Sequence, residues 1–347
     1  MRDNHLPVNS WMLKQKALEI KDDSGSEFNA SNGWLEGFLK RNRITNRKRT
    51  HIIQKLKSDY GKNVLNYFKQ IDEIQLKYGE NIIYVNFDET PITYDLCKDK
   101  TLHYQGEKEI SLVSHPGAKH RFSLCPAIAS NGEILDTLVI FYYVYQNKKK
   151  TGEKRQFPKK AEGFKFNLSP LMVRFNGSGY NNEELMCEWF DKLFVRFFAK
   201  HQNKHIALVI DDASFHTSEK LKKKCQENQI SLLIIPGGTT SFLQPLDVSI
   251  NKPIKDHLRS CYIPWLTEKC LSLGENDCTK GGYLRAPSND LILEWVKKSL
   301  NLLEPEMLKK SFQKTGITSI FERQLIVERK KELMHEFLSS LYIHLLL

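Results

Sequence analysis

The seven cysteines of this 347-residue chain form no C-x-x-C pair and are scattered between Cys97 and Cys278. An odd, scattered set argues against a disulfide framework and against a zinc knuckle, and it fits a reducing compartment. The sequence also lacks an internal repeat and a low-complexity tract. These absences favour an ordinary globular fold over disulfide-stapled, zinc-knuckle or repeat architectures.

Long hydrophobic runs are missing as well. The first twenty residues, MRDNHLPVNSWMLKQKALEI, have no apolar core segment and do not predict a signal peptide. The C-terminal FLSSLYIHLLL is apolar but too short to span a bilayer, and we predict that it forms the packed last turns of a helix. We therefore expect a soluble intracellular protein with no membrane partner.

Acidic residues are outnumbered by basic ones, since 52 Lys and Arg against 41 Asp and Glu give a formal net charge of +11. Such an excess is compatible with a polyanionic partner. The hydrophobic fraction of 40% is typical of a globular protein, and the length allows two domains or one large domain with an appendage.

Residues 1–57 are predicted to be helical and basic. WMLKQKALEI (11–20) has the composition of a helix, and a second helix is predicted to begin at Ser31, a residue type that caps helix N-termini. Apolar residues four apart lie on one helix face, so we expect one packed cluster in this unit. Its members are Trp34, Leu35, Phe38 and Leu39.

The segment Lys40–Lys57 contains eight basic residues and no acid. A short helical unit that runs into such a tail favours DNA contact, although a solvated helix end or a nuclear import signal has the same composition. The segment Lys148–Lys160 is either a second segment that contacts the DNA backbone or a solvated loop. The residues predicted to face DNA phosphate are Lys40, Arg41, Arg43, Arg47, Lys48 and Arg49.

The rest of the chain predicts an α/β domain with a mixed sheet. A helix is expected over 58–80, and Asn131-Gly132 marks a β-hairpin. Further helices are expected over 181–200, near 217–228 and over 253–266. Apolar runs predict the buried strands IIYVNF (82–87), HIALVI (205–210) and SLLII (231–235).

Two of these strands end in an acid, Asp88 and Asp211, and Asp247 follows the third strand after a Pro-Gly-Gly break. Because chemistry in open α/β sheets gathers at the carboxyl ends of strands, we expect the three acids in one crevice. The alternative interpretation is structural: an acid at a strand end commonly caps a helix or closes a turn. In the same interpretation His216 is a hydrogen-bonded structural histidine. Spacing alone does not exclude the neighbouring acids Asp212, Glu89 and Asp95.

Three carboxylates in one crevice repel each other, and a divalent cation removes that penalty. Oxygen ligands are those that Mg²⁺ or Mn²⁺ prefers, and two such ions stabilise an in-line phosphoryl displacement. In this hypothesis Asp88 and Asp211 hold the two ions, and Asp247 completes one coordination sphere.

The segments around these acids resemble a known family. NFDETPI, VIDDASFH and IPGGTTSFLQPLDV are similar to three blocks of the DDE superfamily endonucleases of the pogo/Tigger type, which include jerky-like and centromere-protein-B-like descendants. GSGYNNEELMCEWF, SFQKTGI and the S-x-G-W-L-x-x-F-x-x-R core of the front unit resemble further family segments, so the resemblance covers nearly the whole chain. Asp212 replaces a common Asn, and Gly237-Gly238 a Pro-Asn-like pair; neither difference touches the three acids.

The resemblance implies a ribonuclease-H-like mixed sheet flanked by helices and preceded by a small all-helical DNA-binding unit. It implies Mg²⁺- or Mn²⁺-dependent cleavage and transfer of strands on double-stranded DNA in the nucleus, with two ions and no small-molecule substrate. A homodimer is one option for its assembly. The implied catalytic and metal-binding residues are Asp88, Asp211 and Asp247, supported by Glu89, His216 and Gln244.

The predicted domains are a partial centromere-protein-B-type helix-turn-helix unit (1–57), a helical connector (58–80), the endonuclease domain (81–270) and a C-terminal helical extension (271–347). Two functions fit: a cleaving transposase or transposase-derived enzyme, and a non-cleaving, domesticated or decayed DNA- or chromatin-binding protein of transposon origin. The presence of all three acids favours the first. An unrelated ribonuclease-H-like nuclease is disfavoured by the basic front unit.

Overall fold

The computed structural model describes residues 13–14, 16–18, 20, 28–44, 60–94, 121–142, 167–168, 170–271 and 285–328. Chain contacts divide the protein into two units. The larger unit spans Tyr60–Arg329, and the described residues before Tyr60 belong to the smaller one. The predicted connector and much of the predicted C-terminal extension thus belong to the same unit as the sheet. The limits of the endonuclease domain at residues 81 and 270 stay predictions.

The smaller unit contains helix α1, Asn32–Arg41. Its start is the predicted one, because Ser31 Oγ accepts a hydrogen bond from Trp34 N at 3.1 Å. The rings of Trp34 and Phe38 stack with centroids 5.3 Å apart, and Leu35 is buried. The predicted apolar face therefore forms on this helix.

A mixed sheet of eight strands forms the centre of the larger unit. The strands are β1 Ile82–Phe87, β2 Thr90–Thr93, β3 Arg121–Ala129, β4 Ile134–Tyr142, β5 Asn167–Leu168, β6 Leu171–Asn176, β7 His205–Asp211 and β8 Ser231–Ile235. Strands β1, β7 and β8 are parallel neighbours, and β1 pairs antiparallel with β3 on its other side. The sheet order is β5-β6-β4-β3-β1-β7-β8, with β2 paired to β3.

Helices cover both faces of this sheet. A π-helical turn, Phe190–Phe194, interrupts the helix predicted over 181–200, and Phe190 and Phe194 at its two ends are both fully buried. A second π-helical turn, Leu246–Ile250, directly precedes the 21-residue helix Asn251–Leu271. The helices of the larger unit are α2 Tyr60–Tyr78, α3 Glu183–Trp189, α4 Val195–Lys200, α5 Glu219–Glu227, α6 Thr240–Leu243, α7 Asn251–Leu271, α8 Asn289–Asn301 and α9 Pro305–Lys314.

The central strands are buried on both sides, as parallel strands between helical layers must be. Successive side chains alternate between the faces. In β7, Ile206, Leu208 and Ile210 pack with α3, α4 and α5, whereas Ala207 and Val209 pack with α2, α7, α8 and α9. This two-sided burial explains why β1 and β7 are continuous apolar runs in the sequence. Among the described helices, none is both long enough and apolar enough to cross a membrane.

Candidate active site

Two of the three candidate acids lie at one edge of the sheet. In the parallel pair β1–β7, Asn86 is the register partner of Val209. Asp88 and Asp211 each follow this pair by two residues, so the two strands deliver them to the same edge. Strand pairing thus places Asp88 and Asp211 at the same edge of the sheet, and their joint role in one site stays a prediction.

Two successive turns after β8, Pro236–Thr239 and Leu246–Ile250, bring Asp247 towards this edge. Gly238 has φ +80°, a left-handed conformation that glycine adopts without steric cost, and Thr239 Oγ1 closes the turn on Pro236 O at 2.6 Å. Leu246 and Ile250 are then fully buried on either side of the exposed Asp247. These two buried side chains hold the π-helical turn Leu246–Ile250 against the core, and Asp247 faces outward between them.

Asn86 connects the turn Leu246–Ile250 to the strands, a role that no pattern in the sequence indicates. The side chain is completely buried. Its Nδ2 donates to Val209 O at 2.9 Å, and its Oδ1 accepts from Leu246 N at 3.0 Å. A single amide therefore ties β1, β7 and the turn carrying Asp247 together.

Asn251, the first residue of α7, connects two of the acids directly. Its Nδ2 donates to Asp88 Oδ2 at 2.8 Å and to Asp247 Oδ1 at 3.0 Å. The other oxygen of Asp88 accepts from the Glu89 backbone N–H at 2.8 Å. Asp88 and Asp247 are thus neighbours that share one donor. The only sequence signal for this contact was that Asn251 lies one helical turn after Asp247.

Asp88 is in an unfavourable place for a negative charge. Burial, followed by the charges of Asp247 and Asp211, raises the pKa of Asp88 well above its usual value. Lys255, one turn beyond Asn251 on α7, lies near the same pair: burial lowers the pKa of Lys255, and the charges of Asp247 and Asp88 oppose that lowering. Burial thus disfavours the charged forms of both Asp88 and Lys255.

Asp211 has a different environment. Burial acts to raise its pKa, but the hydrogen bond and charge of His216, with the Ala213 N–H at 3.2 Å, lower the pKa of Asp211 below its usual value. Because a carboxylate only accepts, His216 Nδ1 is the donor to Asp211 Oδ1. His216 is almost fully buried against the Phe87 and Phe215 rings. It therefore orients Asp211, as a structural histidine does.

The remaining predicted residues have distinct places. Glu89 joins the end of β1 to other segments, since its carboxylate accepts from Ser123 Oγ at 2.5 Å and from Asn181 N at 3.1 Å. Gln244 is buried, and its Oε1 has no hydrogen-bond partner among the described residues. Asp212 is exposed and lines a separate 230 Å³ groove with α2 and Gly237.

The donor set at this edge fits a divalent cation. The candidate ligands are carboxylate oxygens, which hard divalent cations prefer. A bound cation would also offset the repulsion between the negative charges of these carboxylates. Within 60–94, 121–142 and 170–271, no three His, Cys, Asp or Glu side chains are close enough to hold one ion. Mg²⁺ does not need such a group, because it commonly takes one or two carboxylates and completes its shell with water and phosphate.

The predicted DNA-facing cluster lies partly within the described chain. Lys40, Arg41 and Arg43 follow the apolar part of α1 and are exposed. The members of the cluster at 47, 48 and 49 lie outside the described residues, as do Asp95 and the segment 148–160.

Comparisons with known proteins agree with this architecture. The chain is 27% identical over 321 residues to the Mus musculus protein "Pogo transposable element with KRAB domain". The aligned region covers 91% of this chain and 49% of the relative. The chain thus spans about half the length of that curated relative.

Solved structures of Mos1 transposase share the fold. A paired-end complex with the left transposon end aligns with a TM-score of 0.55 and 10% identity, covering 89% of this chain and 77% of that one. A mariner Mos1 paired-end complex with Mg aligns with a TM-score of 0.54 and 11% identity, covering 93% and 80%. The predicted ribonuclease-H-like fold is confirmed.

Two family models match the sequence. The model of the Tc5 transposase DNA-binding domain matches residues 1–48. The model of the DDE superfamily endonuclease matches residues 119–312, more than half of the chain. The predicted family is therefore confirmed: this chain belongs to the DDE superfamily endonucleases and carries an N-terminal transposase-type DNA-binding domain.

Proposed function

We propose that this chain is a transposase, or a transposase-derived enzyme, that cleaves and transfers DNA strands at Asp88, Asp211 and Asp247. The observation that carries the proposal is the buried Asp88, held beside Asp247 by Asn251 and subject to the charge of Asp211. An aspartate that only caps a helix or closes a turn does not require two further acids beside it. Since the substrate is DNA, we place the activity in the nucleus.

The chemistry is an in-line displacement at phosphorus. Water attacks first, and the P–O3′ bond breaks to leave a 3′-hydroxyl and a 5′-phosphate. In transfer, that hydroxyl attacks a second phosphodiester, whose own P–O3′ bond breaks so that the target strand is left with a new 3′-hydroxyl. Divalent cations held by Asp88, Asp211 and Asp247 would offset charge on the attacking and leaving oxygens. Asn251 and the Glu89 N–H hold Asp88, and His216 holds Asp211, before DNA arrives.

Nicking of a supercoiled plasmid that carries the terminal repeats flanking the coding sequence tests this proposal. We expect nicks with Mg²⁺ or Mn²⁺ and none with a chelator, because the cation offsets the charge of the site. A gel-shift experiment on the same DNA serves as the control for binding. DNA binding without nicking under any cation condition would favour the alternative, a non-cleaving DNA- or chromatin-binding protein of transposon origin.

We further propose that Lys40, Arg41 and Arg43 contact DNA phosphates from the smaller unit. Each phosphate contact releases counterions and adds about 0.9 to the slope of log K against log salt. Lys40→Gln with Arg41→Gln should therefore reduce the slope by about 2, as measured by fluorescence anisotropy over a salt series.

The matched control removes the same charge from the partly exposed Lys222 and the exposed Lys223 of α5, with Lys222→Gln and Lys223→Gln. These changes should leave the salt slope as in the wild type. Equal slopes for the wild type and the Lys40/Arg41 variant would place the phosphate contacts elsewhere on the chain.

A further inference from the structure

The Asn251 carboxamide makes an unusual pair of contacts. Its one nitrogen donates to Asp88 Oδ2 at 2.8 Å and to Asp247 Oδ1 at 3.0 Å. Asp88 follows β1, whereas Asp247 lies in the π-helical turn after β8, so the two acids come from segments far apart in sequence. Both hydrogens of the amide are thus used on two like charges.

The oxygen of the same amide has no hydrogen-bond partner within the part of the chain that the structure describes. Asn251 is 5% exposed, and its Oδ1 is buried without a hydrogen bond among the described residues. A buried polar atom left unpaired costs stability, so an amide kept only to strengthen the fold would pair its oxygen too. The orientation of Asn251 is determined by the two acids.

The geometry leaves room for ligands. The two hydrogens of an amide nitrogen diverge by about 120°, so hydrogen bonds of this length hold the accepting oxygens about 5 Å apart. Each ionised carboxylate has about four lone-pair positions and uses only one here for Asn251. The remaining positions of Asp88 and Asp247 stay available in a fixed orientation.

We propose that Asn251 is a positioning residue that sets the divalent-cation affinity of the site by orienting the carboxylates of Asp88 and Asp247. The inference rests on the proposed function, since it assumes that these acids bind the cation. Hydrogen-bond donors to metal-binding carboxylates keep their oxygens aimed at the ion, and their loss typically weakens metal binding by 10- to 100-fold. Asn251 occupies that role for two acids at once.

Binding of Mn²⁺ to the full chain without DNA, followed by electron paramagnetic resonance, tests the proposal. Asn251→Leu keeps the side-chain volume but removes both donors, and it should weaken Mn²⁺ binding by about 10- to 100-fold. Asn251→Ser keeps one hydrogen-bond donor at this position. Its single hydroxyl hydrogen reaches only one carboxylate, so it should weaken binding by about tenfold.

Ser299→Ala is the control for a general loss of stability. Ser299 is buried on α8, where its Oγ donates to Trp295 O at 2.7 Å and contacts His257 Nδ1 at 2.9 Å. Its loss should lower the melting temperature and leave the Mn²⁺ affinity unchanged. A purely structural role of Asn251 would give the same pattern as this control.

The outcomes separate the inference from the proposed function. Weaker Mn²⁺ binding in both Asn251 variants, with Ser299→Ala like the wild type, supports the positioning role. Equal or tighter binding in the Asn251 variants overturns it, while the proposed function stands. If the wild type itself binds no Mn²⁺, the proposed cation site fails, and the positioning role fails with it.

Discussion

Replacing Asp211 by Asn should lower cation-dependent nicking of DNA by about a thousandfold, because loss of one charged ligand removes several kcal/mol of transition-state stabilisation. The fold should survive, since the Oδ1 of an asparagine still accepts the hydrogen bond from His216 Nδ1. Initial rates of plasmid nicking in Mg²⁺ and in Mn²⁺ measure the effect. DNA binding should stay within about twofold of the wild type, because phosphate contacts supply most of the affinity.

Asp212→Asn is the matched control for Asp211→Asn, since the same charge is removed one residue further along the chain. Asp212 is exposed, and its Oδ2 lies 3.9 Å from the position that a Cβ on Gly237 would take, in the groove beside α2. Nicking by Asp212→Asn should therefore remain within about twofold of the wild type. Equal losses in the two variants would show that total charge, rather than Asp211 itself, sustains the reaction.

The parts of the site that follow from local sequence were predictable. An apolar run that ends in an acid places Asp88 and Asp211 at strand ends, and parallel pairing of β1 and β7 then brings them to one edge. The Pro-Gly-Gly break before Asp247 likewise indicated a turn, and Gly238 adopts the left-handed conformation that only a few residue types accept.

The contacts that unite the acids were not predictable from spacing. Asn86 and Asn251 each bond to segments more than a hundred residues away, and no local pattern distinguishes such an amide from an exposed one. The short strands β2 and β6 were missed for a related reason. Both depend on pairing with a neighbouring strand, to β3 and β4 respectively, rather than on strong alternation of their own.

Tertiary structure also explains the S-F-x-x-x-G-I pattern at residues 311–317. Gly316 has φ +75°, and a Cβ on it would lie 3.0 Å from Arg323 Cα. This glycine ends α9 and brings the backbone against the last described helical segment, 320–328. Because α9 packs on the π-helical turn Leu246–Ile250, the pattern supports the segment that carries Asp247.

Arg323→Met should destabilise the larger unit by about 3 kcal/mol, because it removes a buried guanidinium that satisfies several acceptors. Arg323 is 5% exposed; its Nε donates to Gly316 O at 2.9 Å, its Nη2 to Ile317 O at 3.2 Å, and its Nη1 to Asp72 on α2. The Gly316 carbonyl would lose this partner in the variant. Urea unfolding followed by circular dichroism measures the change.

Asp72→Asn separates the ion pair from the backbone hydrogen bonds of Arg323. The Asp72 side chain is 53% exposed, so the pair is largely screened by water and its loss should cost less than about 1 kcal/mol. If Asp72→Asn cost as much as Arg323→Met, the ion pair itself would join α2 to the C-terminal helices. The expected ordering instead assigns most of the stabilisation by Arg323 to its hydrogen bonds with the carbonyls of Gly316 and Ile317. These bonds fix the turn after α9 and, through α9, the turn that carries Asp247.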